Sequence, residues 1–349
     1  MFCQFELLKM KTKQISYSEN PELERFYEDG IYGFKDKKRG DVIIPKKYND
    51  AYSFSEDLAS VKLNGKYGFI DKREKEAIPF RYDDARSFSE GLASVKQNRK
   101  WGFIDKTGAE VIPVKYDDTG NFCEGLASVK LDKKWGFIDE TGNEVIPLKY
   151  DYVIAFGEGL AGVKLGGKCG YIDKTGNEII PLKFDYFMEF SEGLAGVKLS
   201  GKWGFIDKTG NEIIPFKYDN VYPFCEGFTC VQVVGKWGFI DKSENKITAL
   251  KYNYVWSFNG NFAKINIEKK YGFIDKTGNE IVSCEYDGME SFSEGLAKVE
   301  LDEKFGFIDE TGKTIIPLKY DEAYPFSEGK AKVELNGKTF YIDKSGNRI

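Results

Sequence analysis

The sequence contains no histidine among its 349 residues. That absence excludes every His-based catalytic triad and removes the most common general base and the most common zinc ligand. The cysteines are scattered singly and never form a Cys-x-x-Cys pair, which argues against a thiolate zinc site or a redox motif. We expect free thiols in a reducing compartment, the cytoplasm. The cysteines are Cys3, Cys123, Cys169, Cys225, Cys230 and Cys284.

Long apolar runs and blocks of one charge are also missing. No stretch approaches the ~20 apolar residues that span a bilayer, and the first residues lack the apolar run of a signal peptide. Lys and Arg total 51, Asp and Glu total 56, and both signs are interspersed, for a net charge of −5. We therefore expect neither a membrane span nor a basic surface for nucleic acid. With no Gly-x-Ser-x-Gly motif and no histidine, we predict no catalytic, cofactor-binding or metal-binding residue.

The sequence does contain a tandem repeat, with ten copies of one unit. The residue that precedes Gly-Phe-Ile-Asp recurs every 34 residues, after a first interval of 35. Such a fixed period places the chain among solenoids, propellers and other repeat arrays. We assign residues 31–349 to a ten-copy array and residues 1–30 to a divergent segment with a degenerate first strand. The ten positions of this aromatic slot are Tyr32, Tyr67, Trp101, Trp135, Cys169, Trp203, Trp237, Tyr271, Phe305 and Thr339.

Each copy predicts three short strands, A, B and C, joined as an antiparallel meander. In one copy, Leu194–Leu199, Trp203–Asp207 and Glu212–Tyr218 all alternate with a period of two. Such patterns, rich in β-branched and aromatic residues, indicate strands. Asn-Gly between A and B, and Asp-Lys-Thr-Gly-Asn between B and C, are hairpin signals. The predicted fold is therefore all-β, built from tandem repeats of about 34 residues.

A proline in strand C, such as Pro215, indicates how the copies are joined. Because proline deletes a ladder hydrogen bond, strand C should be an outer edge, so the connector Asp219–Gly227 must lead to a new blade. The expected array is a propeller-like ring or an open superhelix of stacked three-stranded blades. Ten blades exceed the usual number of about four to eight, which favours the open form, although a strand near Gln14–Tyr17 could complete the last blade.

A phenylalanine recurs in the connector and should pack between neighbouring blades, because a large apolar side chain at a fixed position of every copy is best explained by burial. These residues are Phe54, Phe88, Phe122, Phe156, Phe190, Phe224, Phe258, Phe292 and Phe326.

The unit Lys-Trp-Gly-Phe-Ile-Asp-Lys-Thr-Gly-Asn-Glu-Ile-Ile-Pro-Phe-Lys-Tyr-Asp at 202–219 resembles the WG-repeat family, which is widespread in bacteria. The resemblance covers about residues 31–349. It implies a β-rich repeat module that serves as a non-catalytic interaction platform, and it brings no catalytic residues. Departures from the family pattern occur at Cys169, Thr339, Ala249, Ser283 and the stretch Asn259–Asn261.

Two columns of residues allow a functional and a structural interpretation. The rings of the aromatic slot could bind sugars, cations or peptides, or they could be core. The Asp that ends each Gly-Phe-Ile-Asp and the Glu of the connector could hold calcium, or they could cap turns. Packing and capping are favoured, because Cys169 and Thr339 occupy the slot without disturbing the period and the acids lie singly beside lysines.

A binding function should lie where one copy breaks the rule, and the most irregular stretch is Phe228–Asn261. Its departures predict a recognition patch, or else neutral drift in a tolerant repeat. The function expected is a non-catalytic binding or scaffold module for another protein. A carbohydrate or cell-wall binding protein is the alternative, and an enzyme would need a single pocket with converging acids. The predicted patch comprises Thr229, Gln232, Ser243, Trp256, Asn259 and Asn261.

Overall fold

A computed structural model describes residues 22–37 and 41–349, and all regular structure in that part of the chain is β-strand. The strands form ten small antiparallel sheets, arranged as the blades of a ten-bladed β-propeller. The predicted all-β array of tandem repeats is therefore confirmed, and the arrangement is the propeller-like one. The preference for an open superhelix, which rested on the unusually high number of blades, was wrong. The predicted closing strand near Gln14–Tyr17 lies outside the described residues.

The blades follow one another along the chain. Blades 1 to 5 comprise β1 (Leu23–Glu28), β2 (Ile31–Asp36), β3 (Val42–Tyr48); β4 (Asp50–Ala51), β5 (Leu58–Leu63), β6 (Lys66–Asp71), β7 (Glu76–Tyr82); β8 (Asp84–Ala85), β9 (Leu92–Gln97), β10 (Lys100–Asp105), β11 (Glu110–Tyr116); β12 (Asp118–Cys123), β13 (Leu126–Leu131), β14 (Lys134–Ile138), β15 (Glu144–Tyr150); and β16 (Tyr152–Val153), β17 (Ala161–Leu165), β18 (Lys168–Ile172), β19 (Glu178–Phe184). Blades 6 to 10 comprise β20 (Tyr186–Phe187), β21 (Leu194–Leu199), β22 (Lys202–Asp207), β23 (Glu212–Tyr218); β24 (Asn220–Val221), β25 (Phe228–Val233), β26 (Lys236–Asp241); β27 (Tyr254–Val255), β28 (Phe262–Ile267), β29 (Lys270–Asp275), β30 (Glu280–Tyr286); β31 (Gly288–Met289), β32 (Leu296–Leu301), β33 (Lys304–Asp309), β34 (Thr314–Tyr320); and β35 (Glu322–Ala323), β36 (Lys330–Leu335), β37 (Lys338–Asp343).

Each typical blade contains the predicted strands A, B and C and a fourth strand that the sequence did not predict. In blade 2 the order is β4-β5-β6-β7, so the two-residue β4 from the connector pairs with strand A and strand C forms the opposite edge. Seven of the ten sheets have this four-stranded form. The edge position of strand C is the one expected from its proline. Two residues are too short to show a period of two, which is why the connector strand escaped the pattern.

Blade 7 departs from the predicted meander, because its third segment does not form a strand. Residues after β26 make only isolated bridges, Ile240 with Lys246 and Trp237 with Tyr252. The hydroxyl of Thr248 accepts a hydrogen bond from the N–H of Phe239 at 3.1 Å. A side chain thereby takes the place of a carbonyl in the ladder, which interrupts regular pairing.

The hydrophobic core lies between blades rather than within them. One buried cluster joins Phe69 and Ile78 of blade 2 to Ala85, Phe88 and Val95 of blade 3. The connector phenylalanine of each blade packs against the strand-B aromatic of the preceding blade, with ring centroids 4.7–5.2 Å apart in nine such pairs. Tilted and edge-to-face rings at this separation attract one another in addition to burying area. The predicted packing role of the connector phenylalanines between blades is therefore confirmed.

Candidate functional site

The aromatic slot of strand B is packed rather than open. Trp101 and Trp237 are only 5% and 8% exposed, and the other two tryptophans of the slot are half-buried. Connector side chains cover these rings. The Arg86 guanidinium lies 4.4 Å from the Trp101 centroid, and Tyr222 stacks on Trp237 at 5.1 Å. The slot therefore offers no row of open tryptophan rings to a glycan.

The Asp that ends strand B caps the turn to strand C. In blade 4, Asp139 Oδ1 accepts the N–H groups of Thr141 and Asn143, both at 2.9 Å, and the Thr141 hydroxyl at 2.7 Å. The Thr141 hydroxyl, assisted by these amides, lowers the pKa of Asp139 to about 2. Asp173 is held in the same way, and its pKa is also about 2. Across 22–37 and 41–349, no three Asp, Glu or Cys side chains are grouped so that they could hold a metal ion.

These turn carboxylates predict a loss of stability in acid. A carboxylate whose pKa is depressed on folding stabilises the native state above its unfolded pKa, and this contribution disappears as the pH falls towards the folded value. For Asp139 and Asp173 the window runs from about pH 4 down to about pH 2. We expect Tm to fall steeply within that window in a calorimetric series at constant ionic strength. The double variant Asp139→Asn/Asp173→Asn should show a shallower fall, and an unchanged slope would contradict the assignment.

The connector Glu links neighbouring blades. Glu158 accepts the N–H of Gly193 in the next blade, and its carboxylate also pairs with Lys208, which follows strand B of that blade. The same Glu–Lys pair, fifty residues apart, closes at 2.7–3.1 Å in six places. We call this repeated contact the Glu–Gly–Lys link. The connector Glu residues therefore have a structural role, because their carboxylates bind a backbone N–H and a lysine of the adjacent blade.

Thr229, Gln232 and Ser243 of the predicted recognition patch lie at separate places in blade 7. Thr229 is 2% exposed, and its hydroxyl donates to the Tyr222 carbonyl at 2.5 Å, so it belongs to the interior of blade 7. Gln232 accepts a hydrogen bond from the side-chain amide of Asn220 at 2.6 Å. Ser243 lies in the turn after β26, where its N–H donates to Asp241. These residues are structural elements of blade 7.

The other three, Trp256, Asn259 and Asn261, line one cavity of about 330 Å³ between blades 8 and 9. Trp256 is 40% exposed, and the Lys264 ammonium lies 4.2 Å from its ring centroid. Burial lowers the pKa of Lys264. Of the six residues of the predicted patch, only Trp256, Asn259 and Asn261 therefore line this cavity.

A second surface feature lies on the connector strands, where aromatic rings stay exposed. In blades 5 and 6, Tyr152 is 50% and Tyr186 is 60% exposed, at the same position of successive copies. Tyr152 contacts Phe187 at a centroid distance of 6.2 Å, and Lys164 lies 5.2 Å from the Tyr186 ring. We call Tyr152, Tyr186, Phe187, Lys164 and Lys198 the blade 5–6 patch.

The blade 5–6 patch is also distinguished by its charge. In blades 2, 3 and 4 the residue that faces the strand-A lysine across the ladder is an aspartate, as in the pair Asp50 and Lys62. In blades 5 and 6 that residue is tyrosine, so Lys164 faces Tyr152 and Lys198 faces Tyr186. Lys164 and Lys198, both half-buried, therefore lie beside exposed rings without the facing aspartate of blades 2 to 4.

Comparison with known families agrees with this geometry. The family model for the WG containing repeat matches nine consecutive segments that run from residue 32 to residue 338. The chain belongs to the WG-repeat family. A search of curated proteins gave no match. The part of this WG-repeat chain that the structure describes holds no helix with the length and apolar character needed to cross a bilayer.

Comparison of this WG-repeat array with solved structures gave distant similarities. A eukaryotic initiation factor is 12% identical, with a TM-score of 0.49 over 85% of this chain and 95% of that one. Hsv2p of Kluyveromyces lactis is 8% identical, with a TM-score of 0.39 over 63% and 89%. The dihydro-heme d1 dehydrogenase NirN, solved in complex with DHE, is 14% identical, with a TM-score of 0.37 over 96% and 74%. At such low identity and TM-score, these similarities say nothing about what this chain binds.

Two departures from the WG repeat that border the cavity escape the reasoning from sequence. Gly260 stands where the other connectors have Glu, and Glu310 stands where most copies have the lysine of the Glu–Gly–Lys link. Gly260 and Glu310 are fifty residues apart. Only a comparison of the connector Glu position with the lysine position fifty residues later, copy by copy, could have connected them. Gly260 and Glu310 both line the cavity.

Proposed function

We propose that this WG-repeat protein is a non-catalytic binding module and that it holds another protein through the blade 5–6 patch. The observation that carries the proposal is the exposure of Tyr152 and Tyr186, at 50% and 60%, on one repeated position of adjacent blades. Exposed aromatic side chains that recur side by side are typical of protein interfaces, where they supply large contact areas at low entropic cost.

The charge of the patch defines the partner. Lys164 and Lys198 lack the facing aspartate of blades 2 to 4, so an incoming carboxylate would be attracted to both. The rings of Tyr152 and Tyr186 offer apolar faces beside them. We infer that the partner is a polypeptide segment that carries acidic and apolar side chains. We place the encounter in the cytoplasm, where the five described cysteines, all unpaired, would stay reduced.

A glycan is the second candidate, because exposed tyrosine rings can also stack on sugars. The burial of Trp101 and Trp237 removes the tryptophan column on which that alternative mainly relied. What remains for a sugar is the same Tyr152 and Tyr186 pair, without an evident reason for the adjacent lysines. The protein partner explains both the rings and the charges.

The test is affinity capture from the native organism, followed by reconstitution with the purified partner. We expect the double variant Tyr152→Ala/Tyr186→Ala to weaken the dissociation constant about tenfold or more, as the loss of central aromatic contacts does. Lys164→Gln should reduce the salt dependence of binding, since it removes one attracting charge.

The matched control is Tyr324→Ala/Tyr341→Ala in blade 10, whose rings are 50% and 46% exposed. This variant should bind the partner as the unchanged protein does. Equal binding by the blade 5–6 variant would contradict the proposal. Capture that disappears after nuclease or glycosidase treatment would replace the protein partner by a nucleic acid or a glycan.

A further inference from the structure

The boundary between blades 8 and 9 lacks both the Glu and the Lys of the Glu–Gly–Lys link, whereas the boundary between blades 3 and 4 keeps Glu90 and lacks only the lysine. Gly260 has no carboxylate to accept the N–H of Gly295, and Glu310 replaces the ammonium group with a second carboxylate. Elsewhere, the Gly329 N–H donates to Glu294 at 3.0 Å and Lys344 pairs with the same carboxylate at 3.1 Å. At the boundary between blades 8 and 9, therefore, no carboxylate of the described residues occupies the position between the Gly295 N–H and residue 310.

The loss of this link leaves the Gly295 N–H and the Glu310 carboxylate without partners beside the cavity, and Lys264 adds a third polar group there. Within the described chain the Gly295 N–H has no hydrogen bond, and Glu310 has no lysine or arginine within ion-pair distance. Lys264, on strand A of blade 8, likewise has no carboxylate within ion-pair distance and donates only to the Met289 carbonyl, at 3.3 Å. Blades 2 to 7 hold Ser, Gly or Cys at the position of Lys264, whereas blades 9 and 10 also hold lysine there, Lys298 and Lys332. Lys298 pairs with Glu290, which leaves Lys264 without the ion pair that its neighbour makes.

Apolar rings form the rest of the wall. Phe262 stands at the start of strand A, where most copies have leucine, and its ring lies 4.9 Å from Phe292. Phe273 lies 4.7 Å from the same Phe292 ring. Phe292 is only partly buried, whereas its counterpart Phe326 is 1% exposed, so the cavity opens beside it. The site therefore combines an apolar wall with the Lys264 ammonium, the Gly295 N–H and two carboxylates, Glu294 and Glu310. Glu294 is already engaged by the Gly329 N–H and Lys344, so Glu310 is the carboxylate without a cationic partner in the described chain.

We propose that this cavity binds a free α-amino acid with an apolar side chain. The ligand's carboxylate would take the place of the missing Glu side chain, accepting from the Gly295 N–H and lying near Lys264. Its ammonium group would pair with Glu310, and its side chain would contact Phe262 and Phe292. A volume of about 330 Å³ is adequate for such a molecule. A zwitterion matches the site because Lys264 and Glu310 are opposite charges that line one cavity without pairing with each other.

The direct test is isothermal titration of the full chain with L-phenylalanine, L-leucine and L-lysine. We expect binding of the two apolar amino acids and at least tenfold weaker binding of lysine. N-acetyl-L-phenylalanine lacks the ammonium group and L-phenylalaninamide lacks the carboxylate, so each should bind about tenfold more weakly or not at all. Equal affinity for either analogue would overturn the proposal, because one end of the zwitterion would then not be recognised.

The decisive variant restores the ordinary link. Asn259→Ser, Gly260→Glu, Asn261→Gly and Glu310→Lys together give this boundary the Ser-Glu-Gly turn and the lysine of other copies. Folding should be preserved, because Glu occupies that turn position at a φ of 50–56° in the other connectors from Glu56 to Glu328. The restored Glu and Lys would fill the site, and we expect L-phenylalanine binding to be abolished while Tm is maintained or raised.

Two single substitutions test whether the Glu310 charge itself is needed for L-phenylalanine binding. Glu310→Gln should weaken L-phenylalanine binding about tenfold, since it removes the anion that holds the ammonium group. Glu140→Gln is the matched control, because Glu140 occupies the same slot of blade 4, where Glu90 is retained and accepts the N–H groups of Glu124 and Gly125. It should leave binding unchanged. No heat of binding with any apolar amino acid, or undiminished binding by the restored variant, would overturn the proposal, and neither result bears on the blade 5–6 patch.

Discussion

Phe156→Ala should lower the free energy of unfolding by about 3–5 kcal/mol, the range for removing a large buried aromatic side chain. Phe156 is 2% exposed, and its ring lies 4.9 Å from Phe137 of the preceding blade. Alanine would leave a void between two sheets that cannot close on it, because each is held by its own ladder. Urea unfolding followed by far-ultraviolet circular dichroism measures the loss.

The control for this prediction lies four residues earlier in the same connector. Tyr152 is 50% exposed, and Tyr152→Ala should change the unfolding free energy by less than about 0.5 kcal/mol, as is usual for surface positions. If both variants lost a similar, small amount, the blades would not depend on the connector phenylalanine. A large loss for Phe156 alone would establish that adjacent blades support one another through it.

Gly136→Ala should be at least as damaging, with a loss of about 3 kcal/mol or more from overpacking against backbone. A Cβ at Gly136 would lie 2.4 Å from the Ile146 carbonyl oxygen and 2.8 Å from the Leu148 nitrogen. Both are backbone atoms of strand C, so no side-chain rotation can make room. Relief requires strand C to move away from strand B, which breaks the ladder at the edge of the blade.

Gly157→Ala is the matched control for that glycine. A Cβ there meets nothing within 4 Å, and other copies carry serine at the same position, as at Ser55. The substitution should be close to neutral in the same urea titration. Blade 10 already contains a natural version of the test, because Phe340 occupies the slot of Gly136 and no strand C lies over it in the described chain. Near-equal stability of the two alanine variants would refute the role of close approach.

The strands, turns and edges could be predicted from the sequence because they depend on contacts that are local and repeated. The Asp-x-Thr-Gly-Asn turn between strands B and C contains its own acceptor and donors, as Asp139 with Thr141 and Asn143 shows. Pro215 placed strand C at an edge because a missing N–H has the same consequence in any sheet. The connector phenylalanines were recognised as contacts between blades because a large apolar side chain repeated nine times at a fixed position must fill a repeated space.

The recognition patch predicted from the irregular region groups residues that the structure separates. Departures close together in sequence were grouped as one patch, yet Thr229 and Ser243 fall inside blade 7, while Trp256, Asn259 and Asn261 border a cavity. The partners of that cavity come from the following blade, up to fifty residues away. Linear proximity therefore could not define the group.

The sequence by itself determined the all-β class, the period, the antiparallel meander and the family, because strand and turn preferences act over a few residues. Only the tertiary structure decided which rings are covered and which stay exposed, and which position of one blade meets which position of the next. It therefore brought Gly260, Gly295, Glu310 and Lys264 to one cavity, and set Tyr152 beside Phe187. The physical reason is that the blades bury their apolar side chains against one another, so both proposed binding surfaces combine residues from two copies of the repeat.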